Sequence, residues 1–311
     1  MTTAIPFDVY PLALGGNTFG WTSDEATSFD VLDAYAAAGG NFVDTSDSYS
    51  AFAPGNSGGE SETIIGSWLA SRNNRGNVVI GTKVSQHPDF RGLAASNIAA
   101  AAEASLRRLR TDYIDLYYAH FDDESTPLEE TAGAFDALVR AGKVRAIAVS
   151  NYRAERIREW FAIARREGFA MPVAVQPHYN LVHRVDYERQ VAPVVADENL
   201  AVVPYFGLGA GFLTGKYRTQ ADLEAGAIRG HMAKSYFNDA GLAVVDALDK
   251  IASARGVEMA TVALAWLRGR PNVVAPIASA RTLEQLPSLL ASATFDLDGS
   301  ERADLDAVSA R

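Results

Sequence analysis

The chain has 311 residues, 48% of them hydrophobic and 21% charged, which is the balance of a folded globular protein and excludes a disordered one. A net charge of −10 argues against a nucleic-acid or anionic-membrane partner, since either wants a basic patch, and the absence of cysteine rules out disulfides, thiolate nucleophiles and thiolate metal sites together. No apolar run reaches the ~20 residues that span a bilayer, and the opening MTTAIPFDVYPLALGG lacks a basic stretch followed by an unbroken apolar one, so the expected location is the cytoplasm.

Eight short β-branched or aromatic runs follow one another along the chain. They are Tyr10 to Leu14, Asn41 to Asp44, Val78 to Lys83, Tyr113 to Ala119, Val144 to Val149, Val173 to Gln176, Ala201 to Tyr205, and Val273 to Ala278. Between them lie segments of helical length and spacing, among them Asp24 to Ala38, Ser96 to Leu109, Leu128 to Arg140, Ala154 to Glu167 and Tyr187 to Ala196. Ser23-Asp24-Glu25 and Ser96-Asn97 are the expected N-caps, Gly39-Gly40, Gly142 and Gly168 the expected C-terminal stops, and Leu109 to Asp112 a helix exit. Strand then helix, repeated, means a parallel sheet, and continuously apolar strands mean one covered on both faces. Eight units favour a closed (β/α)8 TIM barrel, and with no linker or low-complexity tract, residues 1–311 are expected to form a single α/β domain. The seventh connection, Phe206 to Asn272, is far longer than one helix needs. It opens on GLGAGFLTGKY and contains a poorly patterned stretch, Gly226 to Asn238, expected to be a functional loop or lid.

In such a barrel the chemistry lies at the C-terminal ends of the strands, where the loops vary over a rigid frame. Those ends carry Asp44 with Tyr49 just beyond, Lys83, His120, Ser150-Asn151, Gln176 and Tyr205. Any one of them alone reads as a surface or capping residue. Asp, Tyr, Lys and His on three adjacent strands instead make a self-consistent acid catalyst. The Lys83 ammonium is expected to lower the phenol pKa of Tyr49 from its ordinary ~10, Asp44 to hold Lys83 charged and oriented, and His120 to donate to the same carbonyl oxygen as negative charge develops.

FVDTSDSY, GTKV, YIDLYYAH, GKVRAIAVSNY and VQPHYNL, in that order, resemble the aldo-keto reductase superfamily over essentially the whole chain, and within it the bacterial branch that includes the potassium-channel β-subunits. The resemblance carries the catalytic tetrad onto Asp44, Tyr49, Lys83 and His120. It implies direct hydride transfer from NADPH, with NADH second, to an aldehyde or ketone that Tyr49 protonates. It further implies that Asp44, Ser150, Asn151 and Gln176 hold the nicotinamide end and that Tyr205 stacks on the ring. Gly16, Asn17, Phe206, Leu208, Gly209, Leu213, Gly215 and Lys216 would then line ribose and pyrophosphate, with Ser279, Arg281 and Gln285 at the adenosine 2′-phosphate. Amide side chains that both donate and accept suit a carboxamide, exposed N–H groups in a glycine-rich loop suit a phosphate, and Arg281 suits one that only NADPH carries. The chain departs from its relatives at Phe206-Gly207, where they read Ser-Pro, at Ser279 for glycine and at Leu289 for asparagine, changes that bear on the choice between NADPH and NADH and leave the tetrad untouched.

Phe19, Trp21, Tyr49, Phe52, Phe121 and Tyr152, with part of Gly226 to Asn238, are expected to wall the substrate cleft, which suits small-molecule carbonyls without choosing among them. Nothing in the sequence marks an oligomer interface. A metal-dependent hydrolase would need clustered ligands, whereas His120 alone stands at a strand end and His87, His178, His183 and His231 are read as loop residues. A non-catalytic NADPH sensor or accessory subunit is the remaining alternative, against which the complete tetrad argues.

Overall fold

The computed structural model describes residues 5–310, and for residues 227 and 228 the backbone alone. Residues 1–4, where the segment read for a leader begins, and residue 311 lie outside the described residues, as do the side chains of 227 and 228 within the expected lid. Eight strands form one parallel sheet: β1 (Ala13–Gly15), β2 (Phe42–Asp44), β3 (Val79–Val84), β4 (Ile114–Ala119), β5 (Val144–Ser150), β6 (Ala174–Gln176), β7 (Ala201–Val202) and β8 (Ile277–Ala278). From β1 to β7 each pairs with its neighbour in sequence, and β8 returns beside β1. The gap between β7 and β8 is closed by backbone hydrogen bonds: Val202 N donates to Asn272 O at 2.8 Å, Val274 N to Val202 O at 3.0 Å, and Ile277 N to Pro204 O at 2.9 Å. The architecture is the expected (β/α)8 barrel.

Every residue of β3 and β4 is buried, since inward side chains such as Leu116 and Tyr118 fill the barrel while Tyr117 and Ala119 pack under the helices. Ile5, with Phe7 and Val9 beside it, joins the interior cluster, and Arg145, near the start of β5, lies over the Phe7 ring. That puts the opening segment at the N-terminal mouth and leaves the C-terminal mouth to the loops that bear the polar residues.

Three strand boundaries differ from expectation by more than one residue, each near a proline, which has no N–H to give a ladder. β1 starts at Ala13 rather than Tyr10, because Pro11 intervenes and Tyr10 N donates to the Asn41 side chain at 2.7 Å. β7 stops before Pro204 instead of reaching Tyr205, and β8 starts after Pro276 instead of at Val273.

Helix α1 (Glu25–Ala37) begins as expected, with the Asp24 carboxylate accepting from Thr27 N at 2.8 Å. α2 (Glu60–Arg72), not singled out by periodicity, follows the Tyr49 loop. α3 (Ala95–Leu109) corrects an expectation: it is entered through Ala94, and its first N–H donates to Glu130 of α4 (Leu128–Arg140) at 2.9 Å, while Asn97 reaches back to the Phe90 and Gly92 carbonyls. Its exit is as expected, with Arg110 left-handed at φ +53°. α5 (Ala154–Glu167) has the expected bounds, and the segment expected as a helix from Tyr187 to Ala196 is helical throughout, opening on a π-helical stretch, Asp186–Val191, that continues as α6 (Ala192–Asp197).

The seventh connection is helical where a loop was expected. A tight turn, Gly209–Thr214, leads to α7 (Gln220–Ala225), α8 (Ala227–Ala233), a 3-10 turn Lys234–Tyr236, then α9 (Asp239–Arg255) and α10 (Met259–Arg268). Gly230 in it is a contact point, since a Cβ there would fall on the Leu223 carbonyl of α7. Two short helices, α11 (Leu286–Ala291) and α12 (Gly299–Ser309), complete the fold. Among the described residues no helix is long and apolar enough to cross a membrane.

Candidate active site

The barrel brings together side chains from the ends of β2 through β7. Lys83 Nζ donates to both carboxylate oxygens of Asp44 at 2.8 Å and to Thr45 O at 2.6 Å, and lies 3.2 Å from the Tyr49 hydroxyl. Tyr49 Oη donates to Asp44 Oδ2 at 3.2 Å, and Gln176 Nε2 to Asp44 Oδ1 at 2.8 Å. A second strand of bonds runs outward: Ser150 Oγ donates to Gln176 O at 2.9 Å, Asn151 Nδ2 to His120 O at 2.9 Å, and Tyr205 Oη to Asn151 Oδ1 at 2.8 Å. Lys83 and Asp44 are wholly buried, whereas the Tyr49 and His120 rings, 6.3 Å apart, are half-buried and face the barrel mouth.

The electrostatics correct one expectation. Burial, and then the Asp44 carboxylate, push the Tyr49 phenol well above its ordinary value; Lys83 does not lower it. The reason is local: a phenol that donates to a carboxylate is favoured in its neutral form, and the Lys83 charge is already shared with Asp44. Burial pulls Lys83 itself downward against the opposing pull of Asp44. Burial, then Lys83, hold His120 well below the usual imidazole range, so its ring is neutral. The site therefore presents a protonated phenol beside an ammonium, with a neutral imidazole across from it.

The loops after β1 and β8 are laced together. Gly16 N donates to Asp44 O at 2.7 Å, and a Cβ there would strike Ser61 Oγ. Asn17 Oδ1 accepts from Ser279 Oγ at 2.5 Å, Ser23 Oγ donates to Arg281 O at 3.0 Å, and Gln285 Oε1 accepts from Arg281 N at 2.9 Å. After β7 the backbone is left-handed at Phe206 (φ +55°), Gly209, Ala210, Gly211 and Gly215. Phe206 is held in this strained shape because its carbonyl accepts from Asn180 Nδ2 at 2.9 Å and from Gly209 N at 2.7 Å. Leu208 is half-buried and Leu213 wholly buried, so Leu213 can offer a ligand only its backbone.

Beside this loop lies a cavity of about 560 Å³ on which Lys216, Arg229 and Arg281 converge, with Trp21 at its edge. Burial first, then Arg229 and Arg281, lower the Lys216 pKa. Among the described residues none of the three cations is in an ion pair, and the bordering Asp222 is engaged by the N–H groups of Arg218 and Thr219. Sequence reasoning missed Arg229 because the Gly226 to Asn238 stretch, expected to be a functional loop or lid, has no clear pattern, and nothing in the sequence singles Arg229 out from the neighbouring Arg218.

Trp21 and Phe52 meet edge to face at 4.9 Å, with Phe52 64% exposed, and Phe121, 42% exposed, lies 5.0 Å from His120. Two expected cleft residues are elsewhere. Tyr152 is packed in the core against Trp160 of α5, and Phe19 is wholly buried, because aromatic area is worth more under a helix than at the mouth. Two histidines differ from their loop reading, His231 lying in α8 and His87 in a two-residue strand; His178 and His183 are loop residues as expected, His178 stacking on His183 at 3.8 Å while bonding Tyr236 Oη at 2.7 Å. Among the described residues no group of three or more His, Asp or Glu is arranged to hold a metal ion.

Comparison with known proteins gives the family. The model of the aldo/keto reductase family matches residues 11–310. Norsolorinic acid reductase stcV of Emericella nidulans is 32% identical over 94% of this chain and 76% of its own length. Aldo-keto reductase YhdN of Bacillus subtilis is 32% identical over 95% of this chain and 87% of its own. Protein tas of Escherichia coli is 32% identical over 97% and 94%. The chain thus belongs to the aldo/keto reductase family, carbonyl-reducing oxidoreductases that use NAD(P)H.

Proposed function

We propose that this protein reduces an aldehyde or ketone to the alcohol with NADPH, Tyr49 supplying the proton. NADPH, when bound, supplies the hydride. Tyr49 gives its hydroxyl proton to the carbonyl oxygen as that oxygen becomes an alkoxide, a stronger base than the phenolate left behind. The single observation that carries the reading is the Lys83 ammonium 3.2 Å from the Tyr49 hydroxyl, held there by Asp44. In this role Lys83 stabilises the phenolate as it forms, so the raised resting pKa keeps the acid protonated until it is needed. His120, neutral, donates a hydrogen bond to the same oxygen.

The residues present fit a dinucleotide phosphate. Ser150, Asn151 and Gln176 would hold the carboxamide and Tyr205 would stack on the nicotinamide ring. Gly16, Asn17 and the turn from Phe206 to Gly215 would line ribose and pyrophosphate, and Lys216, Arg229 and Arg281 would meet phosphate charge, a use that explains three unpaired cations at one cavity. Ser279 and Gln285 hold Asn17 and the Arg281 backbone in place for that task. Trp21, Phe52 and Phe121 would receive the carbonyl substrate. The same reading takes residues 1–311 as one domain and the cytoplasm as its location.

The test is Tyr49→Phe, assayed by NADPH absorbance with 4-nitrobenzaldehyde. We expect turnover to fall about 10²–10⁴-fold with NADPH affinity kept within about twofold. Loss of cofactor binding would make Tyr49 structural, and a wild-type protein that binds NADPH but oxidises it with no aldehyde or ketone would favour a sensor.

A further inference from the structure

Next to the catalytic residues is a second set of buried charges that the proposed reaction does not use. Asp47 and Glu62 are wholly buried, and the Arg108 side chain beside Glu62 is 19% exposed. Together with Asp44 and Lys83 they make three carboxylates and two cations. Asp44 accepts from Lys83, Tyr49 and Gln176, and Glu62 accepts from Thr82 Oγ1 at 2.5 Å and Arg108 Nε at 2.6 Å. Asp47 has Ser46 Oγ alone, at 3.2 Å, and its Oδ2 is buried with no partner among the described residues. A surplus proton belongs on the carboxylate with the fewest donors, because an ionised oxygen with no partner is the costliest to bury. Burial, then the nearby Glu62 carboxylate, accordingly push Asp47 well above the usual carboxylate range.

Ser46 connects Asp47 to the active site. Its hydroxyl lies 3.3 Å from His120 Nδ1, and no other side-chain partner of that ring is found among the described residues. Ser48 N donates to Ser46 Oγ at 3.3 Å, and the Ser48 hydroxyl, 3.0 Å away and half-buried, is the one rival partner. A serine hydroxyl has a single proton to give. An ionised Asp47 would take it, Ser46 would then accept from His120 Nδ1–H, and Nε2 would turn a lone pair toward the carbonyl oxygen. A neutral Asp47 reverses the chain.

We propose that Asp47 is a positioning residue: as the neutral acid it donates to Ser46, Ser46 donates to His120 Nδ1, and His120 is thereby fixed as the Nε2–H tautomer that can donate to the substrate oxygen. This rests on the role proposed for His120, but the tautomer itself can be read without any turnover.

The experiment is histidine ¹⁵N NMR on the wild-type protein and on Asp47→Asn, Asp47→Ala, Ser46→Ala and Ser48→Ala, with steady-state kinetics on each. The wild type should show His120 protonated on Nε2. Asp47→Asn keeps a donor without an acid proton and should retain that tautomer and recover most of the activity lost in Asp47→Ala. Asp47→Ala and Ser46→Ala should lose the single tautomer and lower kcat about 10- to 100-fold, below the ~10²–10³-fold loss for deleting an oxyanion donor, with NADPH affinity unchanged. Wild-type His120 protonated on Nδ1, or Asp47→Asn failing as badly as Asp47→Ala, would overturn the proposal, as would loss of the tautomer in Ser48→Ala alone. Should Asp47→Ala not fold, Ser46→Ala poses the same question. If the tautomers behave as stated while His120→Gln keeps full kcat, the chain stands and the assignment of His120 as a donor falls.

Discussion

Lys83 carries a charge that no solvent reaches, and Asp44, equally buried, makes that tolerable. Removing one member of such a pair strands the other, so Lys83→Met should cost about 3–5 kcal/mol of stability in urea unfolding, and adding Asp44→Asn should recover part of it. If the double variant were less stable than Lys83→Met, the pair would not be the source of the loss. A pH effect belongs to the same scale. Burial first, then the neighbouring His183, depress the His178 pKa to about 3 from its ordinary 6.5. Because the folded state refuses a proton that the unfolded chain accepts, stability is unaffected above about 6.5 and is lost as pH falls from there toward 3. His178→Phe should therefore shrink the stability difference between pH 7 and pH 5 by up to about 2 kcal/mol, measured by denaturation at each pH. An unchanged difference would mean that His178 stays neutral in neither state or is solvated in both. Which residues would be polar at the strand ends was legible in the sequence; the direction of the Tyr49 shift was not. That direction is set first by burial and then by the bond the phenol gives to Asp44, neither of which a position near a strand end reveals.

At the scale of elements, local signals held where both partners are close in sequence. Asp24 caps α1 through Thr27, as its place before the first helical turn implies. The start of α3 failed that test because its first N–H is satisfied by Glu130, far along the chain. Ala94 has the extended backbone of a cap but no oxygen to offer. Ala94→Ser should raise stability by about 0.5–1 kcal/mol in thermal unfolding, and a loss instead would show that Glu130 already does all a cap can do there. The segment from α7 to α8 illustrates the opposite error. Its helices have six and seven residues, too short for a periodic pattern to stand out, and their glycines serve close packing rather than a turn.

For the whole molecule, the proposed cofactor site draws on the first, seventh and eighth βα connections at once, so binding should stabilise the entire barrel. NADPH at 100 times its dissociation constant adds about 2.7 kcal/mol by mass action. Thermal shift should exceed that with NADH at equal concentration, and Arg281→Ala or Arg229→Ala should shrink the NADPH shift while leaving the NADH shift near its original value. Equal losses for both cofactors would assign these arginines to the shared pyrophosphate instead. Added salt should narrow the difference between the cofactors, since it rests on charge.

The sequence by itself determined the eight-fold alternation, the closed barrel it implies and the set of polar residues at the strand ends, because side-chain period and strand-end position are properties of short stretches of chain. Only the tertiary structure decided that Arg229 joins Lys216 and Arg281 at one cavity, that Tyr152 turns under a helix, and that Asp47 is left with a single partner. Each of those outcomes depends on which distant groups share a buried space and how many hydrogen bonds remain for the last of them. Packing settles such accounts; local spacing does not.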